Sequence, residues 1–216
     1  MRRTLPSGTS VEIVQAEGAP RRGLVVIPDI MGLRPLFDDM VARLAREQRW
    51  TVAAIEPWPG REALTLEERL GLVQAIRDAD LLGDVRAAAD LVGVKPVAVL
   101  GFCMGGMYTL KAAGTGRFDR AVSFYGMVRV PEKWRAPEQG EPLATLGAPG
   151  AARVLAIVGE RDPWTPAADV AALERTGATV VRYAEAEHGF VHDPARPAHR
   201  AADAADAWRR AIAFLE

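Results

Sequence analysis

The stretch Val99-Leu100-Gly101-Phe102-Cys103-Met104-Gly105-Gly106 decides how this chain is read. Val97–Leu100 is a short, continuous apolar run of the kind that forms a strand covered on both faces, and a helical pattern begins at Met104. Between them, glycines flank the only cysteine in the sequence. The spacing is Gly-x-nucleophile-x-Gly, in which small residues relieve crowding at a sharp strand-to-helix turn that pushes one reactive side chain into a cleft. A thiol there also meets the positive end of the helix dipole and nearby unpaired N–H groups, both of which favour thiolate. A lone cysteine is more commonly an apolar filler, so the reading depends on partners elsewhere in the chain.

Moving outward, β-rich runs recur at Val11–Val14, Gly23–Ile27, Thr51–Ile55, Val97–Gly101, Ala121–Tyr125, Arg153–Val158 and Thr179–Tyr183. Helical patterns alternate with them at Pro35–Gln48, Leu66–Val92, Met104–Ala113, Pro166–Arg175 and His199–Leu215, the second expected to break near Leu82-Gly83-Asp84. Strand–helix alternation along almost the whole length predicts a doubly wound, mostly parallel α/β sheet with helices on both faces and Val11–Val14 as an antiparallel edge. Residues 1–216 are expected to form one domain. The stretch Arg129–Ala152, rich in proline and glycine, is a candidate lid carrying Trp134.

In such a sheet, ligands sit beyond the carboxyl ends of the strands. Asp162 follows the run Arg153–Val158, and His188 follows Thr179–Tyr183, so Cys103, Asp162 and His188 share type, chain order and strand-end position with a nucleophile, acid and base. In those roles Cys103 attacks, His188 serves as base and then acid, and Asp162 holds the imidazole. Taken singly, Asp162 also reads as a cap of the following helix or turn. The oxyanion of an acyl-transfer intermediate needs two donors, and the candidates are the backbone N–H of Met104 and that of Ile30, in the loop after Gly23–Ile27.

Composition narrows the partners. Apolar residues make up 49% and charged residues 25% of the 216, as in an ordinary globular protein, and 27 Lys+Arg nearly balance 28 Asp+Glu. No block of like charge offers a nucleic-acid or membrane footprint, so the expected partner is a small molecule. A basic pair near the start is not followed by an apolar run of signal-peptide length, and one cysteine cannot form an internal disulfide; a cytoplasmic monomer is the expectation. His188 and His192 are four apart, but Gly189 and Pro194 argue against the helix that a metal pair at that spacing requires, and no metal is expected. No nucleotide-binding pattern is present and no cofactor is expected. A binding protein or thiol sensor on the same scaffold is the alternative to an enzyme.

Together, Gly101-Phe102-Cys103-Met104-Gly105-Gly106, Val26-Ile27-Pro28-Asp29-Ile30-Met31-Gly32, Phe124-Tyr125-Gly126, Gly159-Glu160-Arg161-Asp162-Pro163 and His188-Gly189-Phe190 resemble the dienelactone hydrolase family of the α/β-hydrolase superfamily. The resemblance implies that fold and a cofactor-free hydrolase that opens a lactone or cleaves an ester through a thioester acyl-enzyme. The family substrate is carboxymethylenebutenolide, released as maleylacetate. The resemblance also implies an acid in the first loop that modulates the thiol, here Asp29 in place of glutamate; the candidate substrate contacts are Tyr125, Trp134, Phe190 and position 192. There His192 stands where the family has an arginine for the substrate carboxylate, and Arg69 and Arg77 are other cations available.

Overall fold

A computed structural model describes all of residues 1–216. Its sheet has eight strands, β1 (Arg2–Thr4), β2 (Ser10–Val14), β3 (Arg22–Ile27), β4 (Trp50–Ile55), β5 (Val97–Phe102), β6 (Arg120–Phe124), β7 (Arg153–Gly159) and β8 (Thr179–Tyr183). They lie in the order β1-β2-β4-β3-β5-β6-β7-β8; β2 pairs antiparallel with both β1 and β4, and every other pair is parallel. The expected antiparallel strand is present, but it is not the edge, because β1 pairs outside it. Arg2-Arg3-Thr4 carries no apolar pattern and is exposed on every residue, so nothing in its composition announces a strand.

The central strands are buried at every position, yet their side chains still divide by alternation. Val25, Ile27 and Val99 point into one apolar layer, and Leu24, Val26, Leu100 and Phe102 into the other. The first layer is closed by α3 (Asp78–Val92) and α4 (Met104–Ala113), the second by α1 (Pro35–Gln48) and α6 (Ala201–Leu215). Helix α6 buries Ala204, Ala207, Ala211 and Leu215, a small-residue stripe that lets it lie close to the sheet. The shorter helices α2 (Leu66–Leu72) and α5 (Ala167–Glu174) complete the set.

The long helix expected over 66–92 divides earlier than the glycine suggested. α2 runs into a 3-10 turn at Val73–Ala75, Ile76 and Arg77 are extended, and α3 continues unbroken through Gly83. Glycine inside a helix costs only about 1 kcal/mol against alanine. Interrupting α3 there would disrupt the buried row Leu81, Val85, Ala88 and Val92. At the actual break, the Gln139 side-chain amide donates to the carbonyls of Val73 and Ile76, supplying partners that a helix end otherwise lacks.

The same contacts hold the stretch 129–152. Asp78 receives the Lys111 ammonium at 2.7 Å and the Gly140 N–H at 2.8 Å, and two 3-10 turns, Glu132–Trp134 and Pro142–Ala144, give the stretch local order. Trp134 is buried within it.

Register brings the carboxyl ends of the parallel strands level, since Ile27 pairs with Gly101, Phe102 with Phe124, Phe124 with Ile157 and Gly159 with Tyr183. The chain leaves β3 for β4 on one side and β5 for β6 on the other, so the crevice opens between β3 and β5. Helix α4 starts against the end of β3 there. A Cβ on Gly105 would stand 2.2 Å from the carbonyl oxygens of both Ile27 and Pro28. Gly105→Ala therefore forces backbone apart, and we expect a loss of about 3 kcal/mol, or roughly 6–12 °C in Tm, measured by thermal unfolding.

Candidate active site

Cys103 leaves β5 and opens α4 with φ 55° and ψ −120°, a left-handed conformation that costs a non-glycine residue energy. The turn is held by the Cys103 N–H donating to Phe124 O at 3.0 Å and by Met107 N–H donating back to Cys103 O at 3.0 Å. On the other side of the turn, a Cβ on Gly101 would lie 2.3 Å from Gly105 O. The strain is thus imposed by close backbone packing on both sides of the thiol.

His188 follows β8, and its Nδ1 donates to Asp162 Oδ2 at 2.8 Å. That leaves the other ring nitrogen unbonded within the protein, and His188 lines the same cavity as Cys103. Asp162 follows β7, its second oxygen accepts the Trp164 N–H at 2.8 Å, and α5 begins only at Ala167, so it does not cap that helix. Burial pulls the His188 pKa down, but the adjacent Cys103 and the Asp162 carboxylate outweigh it and push it up to about 10.

Asp29 and His192 form a second, sealed acid–imidazole pair. His192 Nε2 donates to Asp29 Oδ2 at 2.7 Å, and its Nδ1 accepts from the Tyr125 hydroxyl. Arg34 clasps both carboxylate oxygens of Asp29, at 2.7 and 2.9 Å, and the Met31 N–H donates to Oδ1 at 3.0 Å. Burial alone would raise Asp29, but the hydrogen bonds from His192 and Arg34 hold it well below the ordinary carboxylate range. Burial lowers His192, which suits a neutral ring donating at one nitrogen and accepting at the other.

Neither of the candidate oxyanion donors, Ile30 N–H and Met104 N–H, donates to a protein acceptor. The Ile30 loop is pinned from behind. Its carbonyl accepts the Trp58 indole N–H at 2.8 Å, and Glu56 accepts from the N–H groups of Leu33 and Trp58.

These elements surround a cavity of about 400 Å3. Cys103, His188, Asp29, Ile30 and Trp134, all singled out from sequence, line it. Tyr125, Phe190 and His192 do not; they are buried beneath its floor, where His192 stacks on Phe102 at 4.8 Å. Position 192 thus supports the Asp29 loop, and the cations that reach the cavity are Arg34 and Arg196. Arg196 packs against Gly189 and has no carboxylate partner. Sequence reasoning missed it because it sits in the irregular turns between His188 and α6, where no periodicity places a side chain. Arg69 is buried behind Ile30, and Arg77 is outside the cavity. No three His, Cys, Asp or Glu side chains are grouped to hold a metal ion, and no helix is long and apolar enough to cross a membrane.

A mostly parallel sheet whose strand ends carry an elbow, an acid and a histidine around one cavity defines the α/β-hydrolase class. The sequence model of the Dienelactone hydrolase family matches residues 63–216. A Synechocystis sp. protein named "Putative carboxymethylenebutenolidase" is 30% identical over 206 residues, covering 87% of this chain and 82% of that one. A Bradyrhizobium sp. protein named "Probable 2-oxo-3-(5-oxofuran-2-ylidene)propanoate lactonase" is 27% identical over 208 residues, covering 89% and 82%. The crystal structure of a "Putative Dienelactone Hydrolase" from Klebsiella pneumoniae superposes with a TM-score of 0.87 at 24% identity, over 100% of this chain and 97% of that one, a likeness of fold. The chain belongs to the dienelactone hydrolase family and is an ester or lactone hydrolase.

Because Asp29 has its pKa depressed on folding, its pairing contributes stability above the unfolded value near 3.8 and loses it as pH falls toward the folded value. Asp29→Asn should therefore cost most stability above about pH 4, with the gap to wild type closing below it, measured by urea unfolding across pH.

Proposed function

We propose that this enzyme cleaves a small lactone or carboxylic ester through a Cys103–His188–Asp162 triad and a thioester acyl-enzyme, without a cofactor. The observation that carries the reading is a strained, cavity-lining thiol that shares its cavity with an imidazole hydrogen-bonded to a buried carboxylate.

Cys103 and Asp162 favour the imidazolium form of His188 despite its burial, so that His188 can hold the proton that Cys103 gives up as it attacks. Sulfur attacks the substrate carbonyl carbon, forming the C–S bond while the carbonyl π pair moves to oxygen, where the N–H groups of Ile30 and Met104 receive it. The pair returns, the C–O bond breaks, and the departing alkoxide takes the proton from the His188 imidazolium. In a lactone that alcohol remains part of the same molecule. Neutral His188 then takes a proton from water, hydroxide adds to the thioester carbon, and thiolate departs with the acid as product.

Asp29, in this reading, holds the Ile30 loop rather than the thiol, because its oxygens already receive Arg34 twice, His192 and Met31. Arg196 is the cation placed to meet a substrate carboxylate. The lactonase and carboxymethylenebutenolidase names of the relatives support a lactone among the substrates.

Cys103→Ala should abolish turnover of p-nitrophenyl acetate and small lactones, and Asp162→Asn should lower kcat by about 10²–10⁴ while leaving the fold intact; wild-type turnover in Cys103→Ala would overturn the mechanism. Expulsion of an alkoxide needs the imidazolium, so acylation by an alkyl ester should slow as pH rises through about 10, measured by stopped flow.

A further inference from the structure

Helix α2 shows its apolar residues and hides its cation. Of the sequence Leu66-Glu67-Glu68-Arg69-Leu70-Gly71-Leu72, only Arg69 is buried, while Leu66 and Leu70 are 48% and 38% exposed. A surface helix ordinarily does the reverse. The cause is local and strong. The Arg69 guanidinium donates to the carbonyls of Leu64 at 2.9 Å, Glu62 at 2.6 Å and Ile30 at 3.4 Å, and it lies 5.6 Å from the centre of the Trp58 ring. With the arginine held inward, the helical period sets Leu66 and Leu70, one turn apart, as a row beside it. Thr65 and Glu68 cap the first turn reciprocally, so the short helix keeps this orientation.

That row forms part of the cavity wall, in contact with water. Leu66 and Leu70 line the same cavity as Cys103 and His188, together with Met31, Trp134 and Trp164. Trp134 and Trp164 stack with ring centres 5.4 Å apart, and Trp164 is 40% exposed although it stands two residues from Asp162 and its ring is 6.3 Å from that of His188. Apolar surface left in water beside the reacting atoms is stabilising only when something apolar covers it. Departures from ordinary burial of this kind are found where a site demands them.

We propose that Leu66, Leu70, Met31 and Trp164 form a pocket for an apolar group of the substrate, so that the enzyme prefers esters carrying several carbons or a ring over acetyl and methyl esters. The proposal rests on the reading of Cys103 as nucleophile and adds the substrate class to it. The apolar group enters as the acyl chain or as the alcohol, and two substrate series separate these sources.

One series varies the acyl chain of p-nitrophenyl esters from two to six carbons; the other varies the alcohol of acetates from methyl to phenyl and benzyl, with release of acid followed. In wild type, kcat/KM should rise about tenfold or more along at least one series. Leu66→Ser and Leu70→Ser should each reduce that rise about threefold to tenfold, and Leu70→Met should restore it, while Tm is unchanged or higher because the lost surface was in water. A flat wild-type profile in both series corrected for the intrinsic reactivity of each ester, or a rise within twofold of wild type in both serine variants, overturns the proposal. So does a shift from dimer to monomer in the serine variants with selectivity unchanged, which would give the leucines to a second copy of this chain. Binding of hexanamide to Cys103→Ala, weakened about threefold to tenfold by adding Leu70→Ser, tests the pocket without turnover. If Cys103→Ala still hydrolyses esters, the nucleophile assignment fails alone; if neither hexanamide binding nor either ester series responds to Leu70, the pocket fails alone.

Discussion

The approach of the Gly105 backbone to the carbonyls of Ile27 and Pro28 is the constraint on which the site depends. It draws the start of α4 onto the end of β3, so that the elbow bearing Cys103 and the loop bearing Ile30 share one crevice. The strained φ of Cys103 follows from the same compression, since Gly101 and Gly105 also meet with no room for a side chain. A two-carbonyl contact at one glycine therefore joins the proposed nucleophile to a proposed oxyanion donor. The level strand ends of β6, β7 and β8 bring the remaining groups to that crevice.

Two acid–imidazole pairs stand side by side with opposite fates. His188 faces the cavity and meets Asp162 through one nitrogen, leaving the second for chemistry. His192 is sealed below it, with both nitrogens occupied and its Asp29 partner saturated by Arg34 and Met31. The difference is one of free valence rather than of residue type. An imidazole whose two nitrogens are both bonded inside the protein can only hold structure, and here it holds the loop whose Ile30 lines the cavity.

Behind that loop, Arg69, Trp58 and Glu56 form a support in which the Ile30 carbonyl is bonded twice and the neighbouring N–H groups once each. These bonds fix the Ile30–Met31 peptide, and the preceding peptide, which carries the Ile30 N–H, is held through its own carbonyl, Asp29 O, which accepts the Gly32 N–H at 2.9 Å. The same arginine sets the roll of α2, so loop position and the apolar character of the cavity wall are coupled through one buried guanidinium.

The strand–elbow–helix at 97–113, the alternation of strand and helix, and the strand-end places of Cys103, Asp162 and His188 were legible in the sequence, because each is a local pattern of burial or turn chemistry repeated at short range. The outermost strand Arg2–Thr4 was not, because it is exposed and pairs through backbone alone. The break at Ile76-Arg77 was not, because the group that completes it is Gln139, more than sixty residues away. Nor were the burial of His192, the arrival of Arg196 at the cavity or the inversion of α2. Periodicity reports the average side on which a segment is apolar, not whether that side meets the core or a cavity. Only the folded chain brings Ile30, Leu64 and Glu62 carbonyls to Arg69, and their hydrogen bonds turn the leucines to the cavity.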